Sequence, residues 1–112
     1  MEKKKYLKEK RKNLLFMNEK DIKKIDKKGH IVGIHSHSHP TTISKLSYNL
    51  QYKEYKKSQV ILENILKKKI WCMSHPCGSY NSYTLKILKK MGIKIGFRSN
   101  PLIKKTKSSL EV

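Results

Sequence analysis

The sequence predicts an α/β fold, and three observations carry that prediction. Helical and strand-like stretches alternate along the 112 residues in the order helix, strand, helix, strand, helix, strand. The helical stretches carry apolar residues at spacings of three, four and seven and end in lysines or glycine. The strand-like runs between them are short and apolar, as expected for a small parallel sheet with right-handed crossovers. The length fits one small domain that buries roughly two-thirds of its unfolded surface. Its bounds are expected at residues 18–100, after a basic lead-in at 1–17 and before a tail at 101–112.

Each element has a local reason. The lead-in ends in Leu14, Leu15, Phe16 and Met17. Asn18 can cap a first helix, with Glu19 and Asp21 in its first turn, Ile22 and Ile25 one turn apart, and Gly29 as its stop. The run His30-Ile31-Val32-Gly33-Ile34-His35 does not alternate, which predicts a strand covered on both faces. Residues 36–47 are polar, contain Pro40, and read as a loop. From Ser47 to Leu66 the period is helical, with Tyr48, Tyr52, Tyr55, Leu62 and Leu66 on one stripe that Ile61 and Ile65 widen. Ile70-Trp71-Cys72-Met73 is a second strand, with Trp71 expected in the core, and His75 to Asn81 is a loop. Ser82 is the expected cap of a third helix bearing Leu85, Ile87, Leu88 and Met91, ended by Gly92. Ile93 to Phe97 alternates as a third strand, and no partner is apparent for residues beyond Asn100.

Composition narrows the function. Lys and Arg total 27 against 8 Asp and Glu, a formal net charge of +19. Only Arg11 and Arg98 are arginines, and a dedicated nucleic-acid reader leans on arginine for bidentate contacts. A lysine coat of this kind attracts nucleic acid or anionic surfaces without selectivity. A non-enzymatic Lys-rich protein binding nucleic acid or an anionic surface is therefore the competing class. No stretch is long and apolar enough for a membrane span, and no secretory signal is visible, so a cytoplasmic location is expected. Two cysteines make no disulfide framework.

Ligands of such sheets bind at the carboxyl ends of strands. Two of those loops hold the unusual residues, His35-Ser36-His37-Ser38-His39-Pro40 and Ser74-His75-Pro76-Cys77-Gly78. Imidazole is the commonest transition-metal ligand, and His35 and His39 are four apart. Pro40 disfavours helical geometry at His39, so a turn must bring the two rings together, with the serines bonding its backbone. The plainer reading is a polar, His-rich surface loop. A catalytic site has three protein ligands plus water, and a carboxylate is the obvious third. Cys72, His75 and Cys77 could form a second cluster, but Cys-x4-Cys is not a standard knuckle, and Cys72 inside a strand reads as a small buried hydrophobe. His75 is expected to be a solvated loop residue unless it faces the site.

The run Gly29-His30-Ile31-Val32-Gly33-Ile34-His35-Ser36-His37-Ser38-His39-Pro40 resembles the second motif of the polysaccharide deacetylases, the NodB-homology group of carbohydrate esterases. Leu46-Ser47 and the following helix with Glu54 and Ser58 are similar to the family's next helix. Met73 to Asn81 resembles its third motif, and Leu88 to Phe97 the helix–Gly–strand that follows. The resemblance spans roughly residues 15–100. It implies a fragment of a partly formed (β/α) barrel with three helix–strand units. It implies metal-dependent N-deacetylation of a carbohydrate. By the resemblance, His35 and His39 are two ligands of a divalent metal, often zinc in this family. The backbone N–H of Cys77 is then an oxyanion donor. Pro76 and Gly78 shape the substrate site, with His75 as a further candidate catalytic group. His37 falls at a non-ligand position.

The chain departs from the family in its carboxylates. The family's Asp-Asp pair at the end of the first strand has no counterpart. Asp21 and Asp26 are the two aspartates, and both fall on the first helix, at the end expected to lie opposite the histidine loop. Ser74 and Cys77 stand where Arg and an aromatic are common, and the family's later motifs find no match. The expectation is the middle of a deacetylase, inactive alone, whose partner is a missing N-terminal or C-terminal segment of the same barrel.

Overall fold

The computed structural model describes Lys4, residues 16–100 and residues 106–112. It contains two compact units, residues 1–31 and 32–112. Part of the expected apolar cluster at the end of the lead-in lies outside the described residues.

In the first unit, α1 (Glu19–Lys27) is set by a reciprocal cap. The Asn18 side chain accepts from the Asp21 N–H and the Asp21 carboxylate accepts from the Asn18 N–H, both at 3.0 Å. Gly29, at φ +90°, ends the chain's helical course.

In the second unit, α2 (Tyr48–Leu66) starts at Ser47, whose hydroxyl accepts from the Leu50 N–H at 3.3 Å. It ends on Lys67 in the left-handed region. The strand β1 (Cys72–Ser74) follows, then α3 (Ser82–Lys90) and β2 (Ile95–Phe97). Short 3-10 turns occupy Ile43–Lys45 and Pro76–Gly78. The strands β1 and β2 are parallel, with Met73 opposite Gly96. Ile34 pairs with Met73 on the other side of β1, its N–H donating to Cys72 O and its carbonyl accepting from Ser74 N–H, both at 3.1 Å.

Five local expectations change. The run expected as a fully covered strand contributes one paired residue, Ile34. Val32 is half-buried, and Gly33 and His35 are exposed, because among the described residues no strand pairs on its outer edge. The cap of α3 is Asn81 rather than Ser82, since Asn81 and Thr84 cap each other reciprocally. Ile61 turns to solvent, and Trp71 is 37% exposed rather than in the core. The residues after Asn100 do find partners. The Gly96 N–H donates to Ser109 O, the Val112 N–H to Gly96 O, and the Arg98 N–H to Val112 O, at 2.8–3.0 Å. Leu110 is thereby drawn into the core.

That core joins Ile34, Ile43, Tyr55, Ile70, Met73, Ile87, Leu88, Ile93 and Leu110. The stripe of α2 packs on it through Tyr48, Tyr52, Leu62 and Leu66. Gly96 is required by close approach. A Cβ there would sit 2.7 Å from Leu110 O and 3.1 Å from the Met73 sulfur. No helix among the described residues is long and apolar enough to cross a membrane.

Candidate functional site

Ile34 fixes where the histidine loop leaves the sheet, at the carboxyl end of its pairing with β1. The next side chain, His35, donates through Nδ1–H to the Ser74 carbonyl at 2.9 Å, with the Ser74 hydroxyl at the same distance. That bond commits the Nδ1 proton and makes Nε2 the lone-pair nitrogen, pointed at His39, the tautomer usual for a metal-binding imidazole. His39 Nε2 lies 3.0 Å from His35 Nε2, with the rings tilted by 53°. Two ligands of a tetrahedral zinc with bonds of ~2.0–2.1 Å are about 3.3 Å apart, close to this separation. Both rings are exposed and open to solvent. The pair therefore fits two corners of a divalent-cation shell. No group of three His, Cys, Asp or Glu side chains able to hold a metal forms among the described residues.

The loop is held in an uncommon shape. Ser36 and His39 have φ of 63° and 55°, a region that costs an L-residue of order 1–3 kcal/mol. Ser36 Oγ accepts from the His39 N–H at 3.1 Å. Glu54, on the second turn of α2, takes the rest. It accepts from the His37 N–H at 3.2 Å, the Ser38 N–H at 2.9 Å and the Ser38 hydroxyl at 2.8 Å. Burial pushes the Glu54 carboxyl up, but these bonds and the nearby His37 outweigh it and hold the group below the usual carboxylate range.

The second loop is built differently. Pro76 is buried, Cys77 is exposed at φ 53°, and Gly78 follows at φ 64°. A Cβ on Gly78 would meet the Ser99 hydroxyl at 2.5 Å, so glycine is needed there for both shape and space. His75 is only 2% exposed, which corrects the expectation of a solvated loop histidine. Its ring stacks on Tyr80 at 4.4 Å and its Nε2–H donates to Leu110 O at 2.7 Å. Burial pushes its imidazole below the ordinary value, against the pull of the Leu110 carbonyl and Glu111. The residues after Asn100, which offered no signal in the sequence, are what enclose it. Cys72 is buried, its thiol pushed up by burial, while Cys77 faces solvent. The alternative cluster of Cys72, His75 and Cys77 is therefore not assembled.

The two loops share a polar foundation. The Ser79 hydroxyl donates to Ser44 Oγ at 2.9 Å and accepts from the Ser44 N–H at 3.2 Å. The Asn81 amide donates to Ser44 O at 2.8 Å. Gln51, fully buried, donates to Leu46 O at 3.0 Å and accepts from the Thr84 hydroxyl at 2.6 Å. Each of these buried groups has a partner, so the segment behind His39 is fixed to the segment behind Cys77. Sequence reasoning missed the anchoring by Glu54, the Ser74 carbonyl and this network. The signals available were the family-like helix that carries Glu54 and its place beside Tyr55 on the apolar stripe, near the face of α2 that meets the core.

Comparison with known proteins agrees with this geometry. The sequence pattern of the family described as polysaccharide deacetylase matches residues 5–96. Comparison with curated protein sequences finds no match. Among solved structures, the chain is similar to a Streptococcus pyogenes deacetylase in complex with acetate. Identity is 27%, the TM-score is 0.71, and the match covers 75% of this chain and 37% of that one. It is similar in fold to a pseudoenzyme of carbohydrate esterase family 4 from Bacillus anthracis, at 23% identity and TM-score 0.67, covering 72% and 28%. It also shares the fold of a family 4 carbohydrate esterase from Streptomyces lividans in complex with acetate, at 19% identity and TM-score 0.65, covering 70% and 40%. The chain thus spans less than half the length of each of these structures. Its small parallel sheet and helices form part of the (β/α)-barrel fold of these deacetylases. The match does not favour the alternative of a Lys-rich polyanion binder. With a family pattern over most of its length and the same fold in solved deacetylases, the chain belongs to the polysaccharide deacetylase family.

Proposed function

We propose that this chain is the metal-histidine portion of a carbohydrate N-deacetylase and is inactive by itself. The observation that carries the reading is the convergence of His35 Nε2 and His39 Nε2 at 3.0 Å, with His35 oriented from behind by the Ser74 carbonyl. His35 and His39 would hold the cation, zinc by the habit of the family. Such a cation supplies Lewis-acid polarisation of an acetyl carbonyl. Cys77 offers its backbone N–H to the acetyl oxygen as that atom gains charge. Gly78 lines the rim on which an acetylated amino sugar rests, while Pro76, expected there too, is buried and shapes the turn behind it. His75 holds the Leu110 carbonyl, which supports a clamping role rather than proton transfer.

The chemistry also needs a carboxylate on the metal and a general base, and a positioned base alone contributes roughly 100- to 10,000-fold. Among the described residues neither stands beside His35 and His39. The Bacillus anthracis structures support this reading. One is described as a pseudoenzyme and a mutant of it as having restored activity, so the fold persists apart from the chemistry. The missing partner is a segment carrying an Asp-Asp pair, in cis or as a separate chain.

The test is acetate release from an acetylated amino-sugar oligomer. Residues 1–112 are expected to release none above background, with or without zinc or cobalt. Adding the segment with the Asp-Asp pair, together with the later motifs, is expected to restore release. A complete reconstruction that binds metal through His35 and His39 yet releases no acetate would overturn the proposal.

A further inference from the structure

We propose that Glu54 is the positioning residue of the histidine loop. Its carboxylate locks the backbone of His37 and Ser38, so that the rings on either side, His35 and His39, converge. The inference rests on the reading of His35 and His39 as metal ligands and deepens it.

The histidine loop lacks apolar anchorage of its own. Five residues separate the paired Ile34 from Pro40, and they are exposed or half-buried, so apolar packing does little to hold them. Two of the five, Ser36 and His39, sit in the left-handed region without being glycine. A short exposed loop of this kind has many alternatives of lower backbone energy. Ser36 Oγ bonds the His39 N–H, but that contact is internal to the loop and does not tie it to the domain. The His35 ring is tied to Ser74, but the backbone of the loop's middle is tied from sixteen and seventeen residues away.

Glu54 spends three hydrogen bonds on two adjacent residues. One oxygen, Oε2, receives both consecutive backbone N–H groups, and the other, Oε1, receives the Ser38 hydroxyl. Successive N–H groups aimed at one point make an anion-binding concavity. Here the anion is built in, on a helix that Tyr55, the very next residue, seats in the core. The bonds are charge-assisted and therefore stronger than neutral ones. The carboxylate is engaged by His37 and Ser38, which are not ligands, and so it acts on the site through the backbone between the two that are. His37 enters this arrangement through its backbone N–H. Groups that orient metal ligands from behind are typically worth 10- to 100-fold in metal affinity.

The experiment uses the full chain and cobalt(II) as probe, read by calorimetry and the visible cobalt spectrum. Four proteins are compared: wild type, Glu54→Gln, Ser38→Ala and His35→Ala/His39→Ala. Circular dichroism confirms that each retains its helices. Glu54→Gln keeps the size of the side chain but replaces one acceptor with an amide that opposes the N–H groups. It is expected to weaken cobalt binding 10- to 100-fold. Ser38→Ala removes one bond without touching α2 and is expected to weaken binding several-fold. Glu54→Gln affinity within twofold of wild type would overturn the proposal. A second readout separates its failure from that of the metal reading. Amide exchange at His37 and Ser38, measured without metal, is expected to accelerate at least tenfold in Glu54→Gln. If wild type and His35→Ala/His39→Ala bind cobalt equally, the metal reading falls, and amide exchange alone then decides whether Glu54 holds the loop. Unchanged exchange at both amides would refute that as well. Should Glu54→Gln lose helix content, Ser38→Ala carries the decision through the same two measurements.

Discussion

Replacing Leu110 with alanine tests whether the segment after Asn100 is part of the folded core. Leu110 is 1% exposed and packs in the cluster that includes Ile34 and Met73. The substitution removes three carbons, each worth about 0.8 kcal/mol when buried, or roughly 2.4 kcal/mol of transfer energy. A cavity term adds to this wherever the neighbours cannot collapse. Here they are held, because Ser109 and Val112 are bonded to the Gly96 backbone and the Leu110 carbonyl to His75. The expected loss is about 3 kcal/mol, a large share of the ~5–15 kcal/mol typical of a domain. The chain has a single tryptophan, Trp71, at the entry to β1, and its fluorescence follows urea unfolding. Sulfate in the buffer offsets the self-repulsion of +19 charges. Val112→Ala is the control, since that side chain is 59% exposed and should change stability by less than about 0.5 kcal/mol. Equal unfolding midpoints for the two variants would show that Leu110 is not in the core and that the enclosure of His75 is wrong.

Further outcomes are expected. Tyr55→Phe should stabilise the chain by about 1 kcal/mol in the same assay. It removes a fully buried hydroxyl that has no partner among the described residues, and whose ionisation burial and then Glu54 push well above the usual range. His75 is held below its ordinary value of 6.5 by burial, so the unfolded chain takes up this proton first as pH falls. Stability should therefore be intact above about pH 6.5 and decline below it towards the folded value. His75→Phe, measured in chelator, should flatten that slope, and an unchanged slope would clear His75 of the effect. Zinc binding measured by calorimetry should disappear in His35→Ala/His39→Ala and persist in Cys72→Ser/Cys77→Ser, whereas the reverse pattern would move the site to the cysteines. At low salt the isolated chain should melt broadly or aggregate, and a sharp two-state transition of a monomer would contradict this.

The parts of the fold that were legible in the sequence are those governed by short-range periodicity. The α2 stripe, the parallel β1 and β2, and the stops at Gly29 and Lys67 follow from spacing and capping within a few residues. The histidine loop was legible because its chemistry is concentrated in five positions. What escaped depends on partners distant in the chain. An apolar run such as Ile31 to Ile34 does not say whether one face or both will be covered. Asn81 and Ser82 are both good caps, and only Thr84 three residues on decides for Asn81. Leu110 stands alone in a polar stretch and gives no period, yet three backbone bonds beside it place it in the core. His75 read as solvated because the residues that cover it lie 35 positions away. Glu54 is one acidic residue on a helix until the backbone it serves is known.

The bridge between Ser44, Ser79 and Asn81 has a consequence for how such proteins diverge. It makes the segment behind the histidines and the segment behind Cys77 one mechanical piece, with Gln51 and Thr84 as its buried footing. A change at position 44 that removes the hydroxyl strands the Ser79 O–H donor, and a bulkier residue at either pushes both loops at once. These positions should therefore drift together rather than singly across related sequences. Grafting one loop from a relative into this chain should succeed only when residues 44, 79 and 81 are carried over as a set.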